Sequence, residues 1–233
     1  MHRHFVLALV LILTLLGGRT AQAEPIFAGA FVTIEDVAGQ GTTSGGAFLV
    51  KPALTSVFTP FITFCLQITE DVTYSHGHVF EVKSITTWAE EEKAATGGND
   101  VTLRDPLDVQ TAWIYSKYLE GDFTALGIAG FSGDGRGDAV QNAIWCLEGE
   151  GSDYCTPGSA IVIGKATEYF ETNPPSLEGV RALNLLWTVN YDKWKAGDPA
   201  QDVLVSTIPE PASMLLFGSG LAGLAGMVRR RKR

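Results

Sequence analysis

The stretch DPLDVQTAWIYSKYLEG, from Asp105 to Gly121, decides the fold class, because the hydrophobic pattern changes period there. Before it, β-branched and aromatic residues alternate or run together in Ile26 to Ile34, Gly46 to Val50, Val57 to Thr69 and Val79 to Trp88, with Gly and Pro between. That pattern predicts antiparallel strands. Inside it, Asp105 followed by Pro106 offers an N-cap residue and a proline at the first helical position, which predicts a helix through Leu119 to Gly121. A second helix is predicted from Asp138 to about Glu148, and a third from Ser159 to about Glu171, stopping before Asn173-Pro174-Pro175. Strands return at Arg181 to Tyr191 and Asp202 to Thr207, split by the turn Ala196-Gly197-Asp198-Pro199. The expected class is α+β: an antiparallel β barrel/sandwich with an inserted helical segment.

Both ends read as targeting segments. Arg3 precedes an apolar run from Phe5 to Leu16 and then Ala21-Gln22-Ala23, the small-x-small pattern that a signal peptidase cuts. Residues 1–23 are thus expected to be a signal peptide, with the mature chain starting near Glu24. The apolar run is too short to span a bilayer, and export implies an oxidising compartment. At the other end Pro209-Glu210-Pro211 precedes a mostly apolar stretch over 212–228, long enough for one transmembrane helix, and then a basic tail over 229–233. Its positive charge would keep the tail on the cytoplasmic face of the inner membrane.

Pro209-Glu210-Pro211, one apolar helix and a basic tail resemble the PEP-CTERM sorting signal. The resemblance implies an exosortase as processing partner for segment 208–233, and release or transfer of the ectodomain to the cell surface or outside the cell. It says nothing of the ectodomain's fold. Residues 24–207 are expected to form one domain of about 185 residues.

Charge narrows the function classes. Of the 17 basic residues, 7 lie in the two end segments, so residues 24–210 keep 10 against 26 acidic ones, a net of −16. A nucleic-acid partner, which would demand a basic face, is not expected.

Three cysteines fall in the mature chain. Cys146 and Cys155 flank a short Gly-containing loop that can bend back, so a disulfide is expected between them. That leaves Cys65, in Phe64-Cys65-Leu66-Gln67 at the end of a predicted strand. Together with Gln141-Asn142-Ala143-Ile144-Trp145 on the second helix, Phe64-Cys65 is similar to the two halves of the bacterial thioester domain of surface adhesins. The resemblance implies that the Cys65 sulfur attacks the Gln141 carboxamide, ammonia leaves, and the internal thioester then acylates an amine or hydroxyl on a target surface. The residue types suit that chemistry: a thiolate is a strong nucleophile near neutral pH, and the product stays activated for a second attack. Such a protein is a single-use adhesive rather than a turnover enzyme, and needs no cofactor.

Blander readings stand beside these. With Asp138 as N-cap, Gln141 would sit at N3 and could complete a capping box, while Cys65 could be a small buried hydrophobe. Gln110, in Val109-Gln110-Thr111-Ala112-Trp113, echoes Gln141 from what reads as a helix interior, and Gln67 lies two residues from Cys65. Phe131 to Asp138 resembles the start of a calcium loop, with Asp134 and Asp138 as candidate ligands, but lacks the closing Glu and reads better as a plain turn leading to the helix N-cap; no metal site is assigned. Arg136-Gly137-Asp138 matches an integrin-type tripeptide by coincidence. His76 and His78 allow a cysteine-hydrolase alternative, in which a histidine activates Cys65. A non-covalent component of an exopolysaccharide or biofilm matrix is the other alternative, suggested by the sorting signal.

Overall fold

The computed structural model describes residues 25–42, 46–68, 77–90, 104–192 and 194–207. The expected signal peptide, Pro209-Glu210-Pro211, the transmembrane helix expected over 212–228, the basic tail over 229–233 and His76 lie outside the described residues. Among those described, no helix is long and apolar enough to cross a membrane.

Six strands form the main sheet: β1 (Phe31–Asp36), β2 (Phe48–Pro52), β3 (Phe61–Thr63), β4 (Val79–Thr86), β7 (Val180–Trp187) and β8 (Pro199–Ser206). Their order is β3-β2-β1-β4-β7-β8, with every pairing antiparallel. Alternation places Val32 and Ile34 of β1 and Phe48 and Val50 of β2 on one buried face. β5 (Trp88–Glu90) and β6 (Arg104–Pro106) make a separate two-stranded ribbon.

The helices α1 (Val109–Leu119), α2 (Gly133–Leu147) and α3 (Pro157–Phe170) follow β6, with a 3-10 turn at Ser152–Tyr154. They bury Trp113, Ile114, Val140, Ile144 and Val162 against Phe64, Leu66, Ala182 and Leu204 from the sheet. A second apolar cluster fills the opposite sheet face around Val32, Val50, Phe80, Leu185 and Trp187. The fold is α+β as expected, but among the described residues the sheet does not close into a barrel and no second large sheet packs on it as a sandwich. Its end strands approach each other at one isolated bridge, Cys65 to Val203.

The helix starts differ from the sequence reading. Asp105 and Pro106 belong to β6, with Asp105 opposite Ala89. Asp108 is the N-cap of α1, its carboxylate accepting from the Gln110 amide at 2.6 Å. Thr156 caps α3 ahead of Pro157, two residues earlier than expected, and accepts from the Ser159 amide. The largest shift is at α2, whose N-cap is Ser132 rather than Asp138. Its glycines do not signal a loop: a Cβ on Gly133 would lie 2.0 Å from the Gly39 carbonyl oxygen, and one on Gly137 1.8 Å from that of Gln40. The helix rests directly on backbone there, and the propensity cost of about 1 kcal/mol per glycine is offset by the close approach.

Candidate functional site

Past β3 the chain continues as Phe64-Cys65-Leu66 alongside β8. The Leu204 amide donates to the Phe64 carbonyl at 3.1 Å, and the Leu66 amide to the Asp202 carbonyl at 2.9 Å. Cys65 and Val203 between them are therefore a non-hydrogen-bonded antiparallel pair, and the Cys65 N–H and C=O point away from β8. In a longer sheet the next strand would meet them.

Gln141 meets them instead. The Cys65 amide donates to Gln141 Oε1 at 3.0 Å, and Gln141 Nε2 donates to the Cys65 carbonyl at 2.8 Å. A primary carboxamide carries the same acceptor and donor as a peptide group, so one side chain completes the pairing that a strand would have supplied. Gln141 is fully buried and Cys65 almost so. The two residues are 76 positions apart in sequence. Trp145, one helical turn beyond Gln141, joins the apolar cluster that contains the Cys65 side chain.

The capping-box reading of Gln141 is corrected by the helix start. With Ser132 as N-cap, its hydroxyl accepting from Gly135, Gln141 is the ninth residue of α2 and far from N3. Asp134 and Asp138 accept from the backbone amides of Gly41 and Thr42, at 3.1 and 2.8 Å, and so seat α2 on the 39–42 loop. Arg136-Gly137-Asp138 is a turn of helix. Among the described residues no group of three or more His, Cys, Asp or Glu is placed to hold a metal.

The competing glutamines go elsewhere. Gln110 is the second residue of α1, at its edge rather than its interior, and its Oε1 accepts from Thr167 at 3.3 Å. Gln67 Nε2 donates to the Glu90 carbonyl at 3.3 Å. The His78 ring packs on Tyr191 and Trp187, with centroids 4.2 and 5.6 Å away.

Cys146 and Cys155 are joined in a disulfide, with Cα atoms 5.2 Å apart. The enclosed loop carries two buried carboxylates that the sequence reading passed over. Glu150 Oε2 accepts from the Ile68 amide at 2.8 Å, three residues past Cys65. Glu148 Oε1 accepts from the Asp108 amide at 3.3 Å, tying the end of α2 to the start of α1. Burial pushes the Glu148 carboxyl up to about 8; the Thr111 hydroxyl works against this, and the neighbouring Asp105 and Asp108 carboxylates reinforce it. Tyr154, near the loop's far end, sets its ring edge-on to Trp145 at 4.8 Å. The signal that could have exposed these roles was acidic residues inside a disulfide loop next to an apolar helix end.

Beyond this domain, residues 207–232 match the family model for the PEP-CTERM protein-sorting motif. The chain carries a PEP-CTERM sorting signal. It is therefore an exported, surface-directed exosortase substrate that passes through a transient membrane-anchored stage. The PEP-CTERM match begins where the described domain ends, overlapping it only at Thr207. No curated protein and no solved structure matches this chain.

Proposed function

We propose that the ectodomain is a single-use covalent adhesin whose Cys65 and Gln141 form an internal thioester. The observation that carries this reading is the two-point hydrogen bonding of the Gln141 carboxamide to the Cys65 backbone. It fixes the electrophilic carbon beside the residue that bears the nucleophile, the proximity that lets an inert amide react. In the first step Cys65 Sγ bonds to Gln141 Cδ, the Cδ–Nε2 bond breaks, and ammonia departs carrying the thiol proton. The Cys65 amide that donates to Oε1 is positioned to stabilise the oxyanion of the tetrahedral intermediate. In the second step an amine or hydroxyl on the target surface attacks Cδ, and the Cys65 thiol is restored.

The exported location supports the reading, since a stored electrophile is of use against another surface, and the disulfide accounts for the other two cysteines. A matrix component without covalent chemistry draws support from the PEP-CTERM signal and the acidic ectodomain. The hydrolase alternative gains nothing from His78, whose ring is engaged with Tyr191 and Trp187.

Methylamine tests the acyl-transfer step. Treating the exported protein with it should add one methylamide at Gln141 and make the Cys65 thiol available for alkylation in the same molecules. Addition at Gln110, or none, would contradict the proposal.

A further inference from the structure

The thioester reading leaves open what keeps the electrophile from forming before the protein reaches the outside. The Cys146–Cys155 loop bears on this, because it touches both halves of the pair. Cys146 lies five residues after Gln141 on α2, so the crosslink ties down the end of the helix that presents the carboxamide. Glu150, inside the loop, holds the Ile68 amide and with it the segment that carries Cys65. Its own amide donates to the Trp145 carbonyl at 2.9 Å, and Tyr154 closes over the Trp145 ring. Glu150 is 5% exposed, so this carboxylate is a built-in buried contact rather than a surface one.

We propose that the Cys146–Cys155 disulfide is a redox latch that licenses thioester formation, with Glu150 as the positioning residue that transmits it to the Cys65 segment. The inference rests on the thioester reading above. Closing the latch oxidises two thiols to the disulfide. The two electrons and two protons pass to a thiol-oxidising protein disulfide of the exported compartment. In the reducing cytoplasm the thiols stay apart, the loop is not crosslinked, and Glu150 does not hold the Ile68 amide in register. Cys65 and Gln141 then lack the near-attack geometry, with reacting atoms about 3–3.5 Å apart, that the acyl transfer needs. The adhesive would thus be armed by export itself.

The test measures, by mass spectrometry of the exported full-length gene product, the rate at which each variant loses ammonia after export. In the wild type the loss should be complete. Cys146→Ala/Cys155→Ala should slow it at least about tenfold, since small misplacements of reacting groups cost one to two orders of magnitude. Glu150→Ala, which keeps the disulfide, should slow it comparably, and Glu150→Gln, which keeps an acceptor for the Ile68 amide, should restore it. The Glu150 pair keeps the test decisive if the double cysteine variant fails to fold. Wild-type loss with unchanged rates in the folded variants would overturn the latch and leave the thioester standing. No loss in the wild type, with its disulfide formed, would overturn both.

Discussion

Gln110-Thr111-Ala112-Trp113 and Gln141-Asn142-Ala143-Ile144-Trp145 are near-copies on neighbouring helices, and their glutamines end in opposite environments. Gln110 lies two residues past the Asp108 cap, half-buried at the rim, with its carboxamide on the Thr167 hydroxyl. Gln141 lies nine residues into α2, fully buried, and pairs with the Cys65 backbone on the side turned away from β8. The short string sets which face of a helix a glutamine shares with its tryptophan. The cap and the seating of the helix on the sheet decide what that face meets. In α2 the seating comes from Gly133, Gly137, Asp134 and Asp138 on the 39–42 loop, and the two helices are joined where Glu148 accepts from Asp108.

That joint offers the largest effect. The Glu148 carboxyl, held up to about 8 by burial, stays protonated in the fold while an unfolded chain ionises it near the ordinary value of 4.5. Its contribution to stability is fully present below that value and is lost as pH rises through about 8. Glu148→Gln keeps an acceptor for the Asp108 amide and removes the charge. It should match wild type at pH 4 and exceed it by up to about 4 kcal/mol at pH 9, measured by denaturant titration. A difference independent of pH would mean that the helix joint does not bury a protonated acid.

Next in size is the seat of α2. At an exposed helical site Gly→Ala gains about 1 kcal/mol, but Gly137→Ala would press a methyl group into the Gln40 carbonyl. A loss of about 3 kcal/mol is expected from equilibrium unfolding. A neutral or stabilising result would show that α2 does not rest on that backbone, and the distinction between the two glutamines would lose its structural cause.

The glutamines themselves give the smaller, direct contrast. Gln141→Ala leaves the Cys65 N–H and C=O buried without their partner and should cost about 2 kcal/mol. Gln110→Ala at the rim should stay within about 0.5 kcal/mol of wild type. Equal costs would break the comparison.

The strands of the first half and the return to strands after the helices were legible from alternation, and the disulfide from the short Gly-containing loop between its cysteines. The contact between Cys65 and Gln141 was implied only by the resemblance of their two motifs to the thioester domain, not by any pattern of the residues themselves. The helix starts were less so. Asp105 followed by Pro106 carries the local chemistry of a cap, yet pairing with β5 claims both, and the cap falls to Asp108. The glycines of α2 imitate a loop because the backbone they touch is some 95 residues away in sequence, beyond any local pattern. Barrel closure was over-read: Val57 to Thr69 looks like one long strand, but only Phe61–Thr63 enters the ladder, and Cys65 meets β8 at a single bridge. Glu148 and Glu150 carry no motif at all; their roles arise from where the disulfide loop folds back.

The intact mass of the exported protein decides between a reactive and a merely structural Gln141. If Cys65 and Gln141 react, the wild-type mass lies one ammonia below that calculated for the chain with its Cys146–Cys155 disulfide. Cys65→Ser, which keeps both backbone hydrogen bonds to Gln141, then restores the full mass. A wild-type mass equal to the calculated one, in protein whose Cys65 alkylates quantitatively once unfolded, would contradict the thioester and leave Gln141 as a buried substitute for a missing strand.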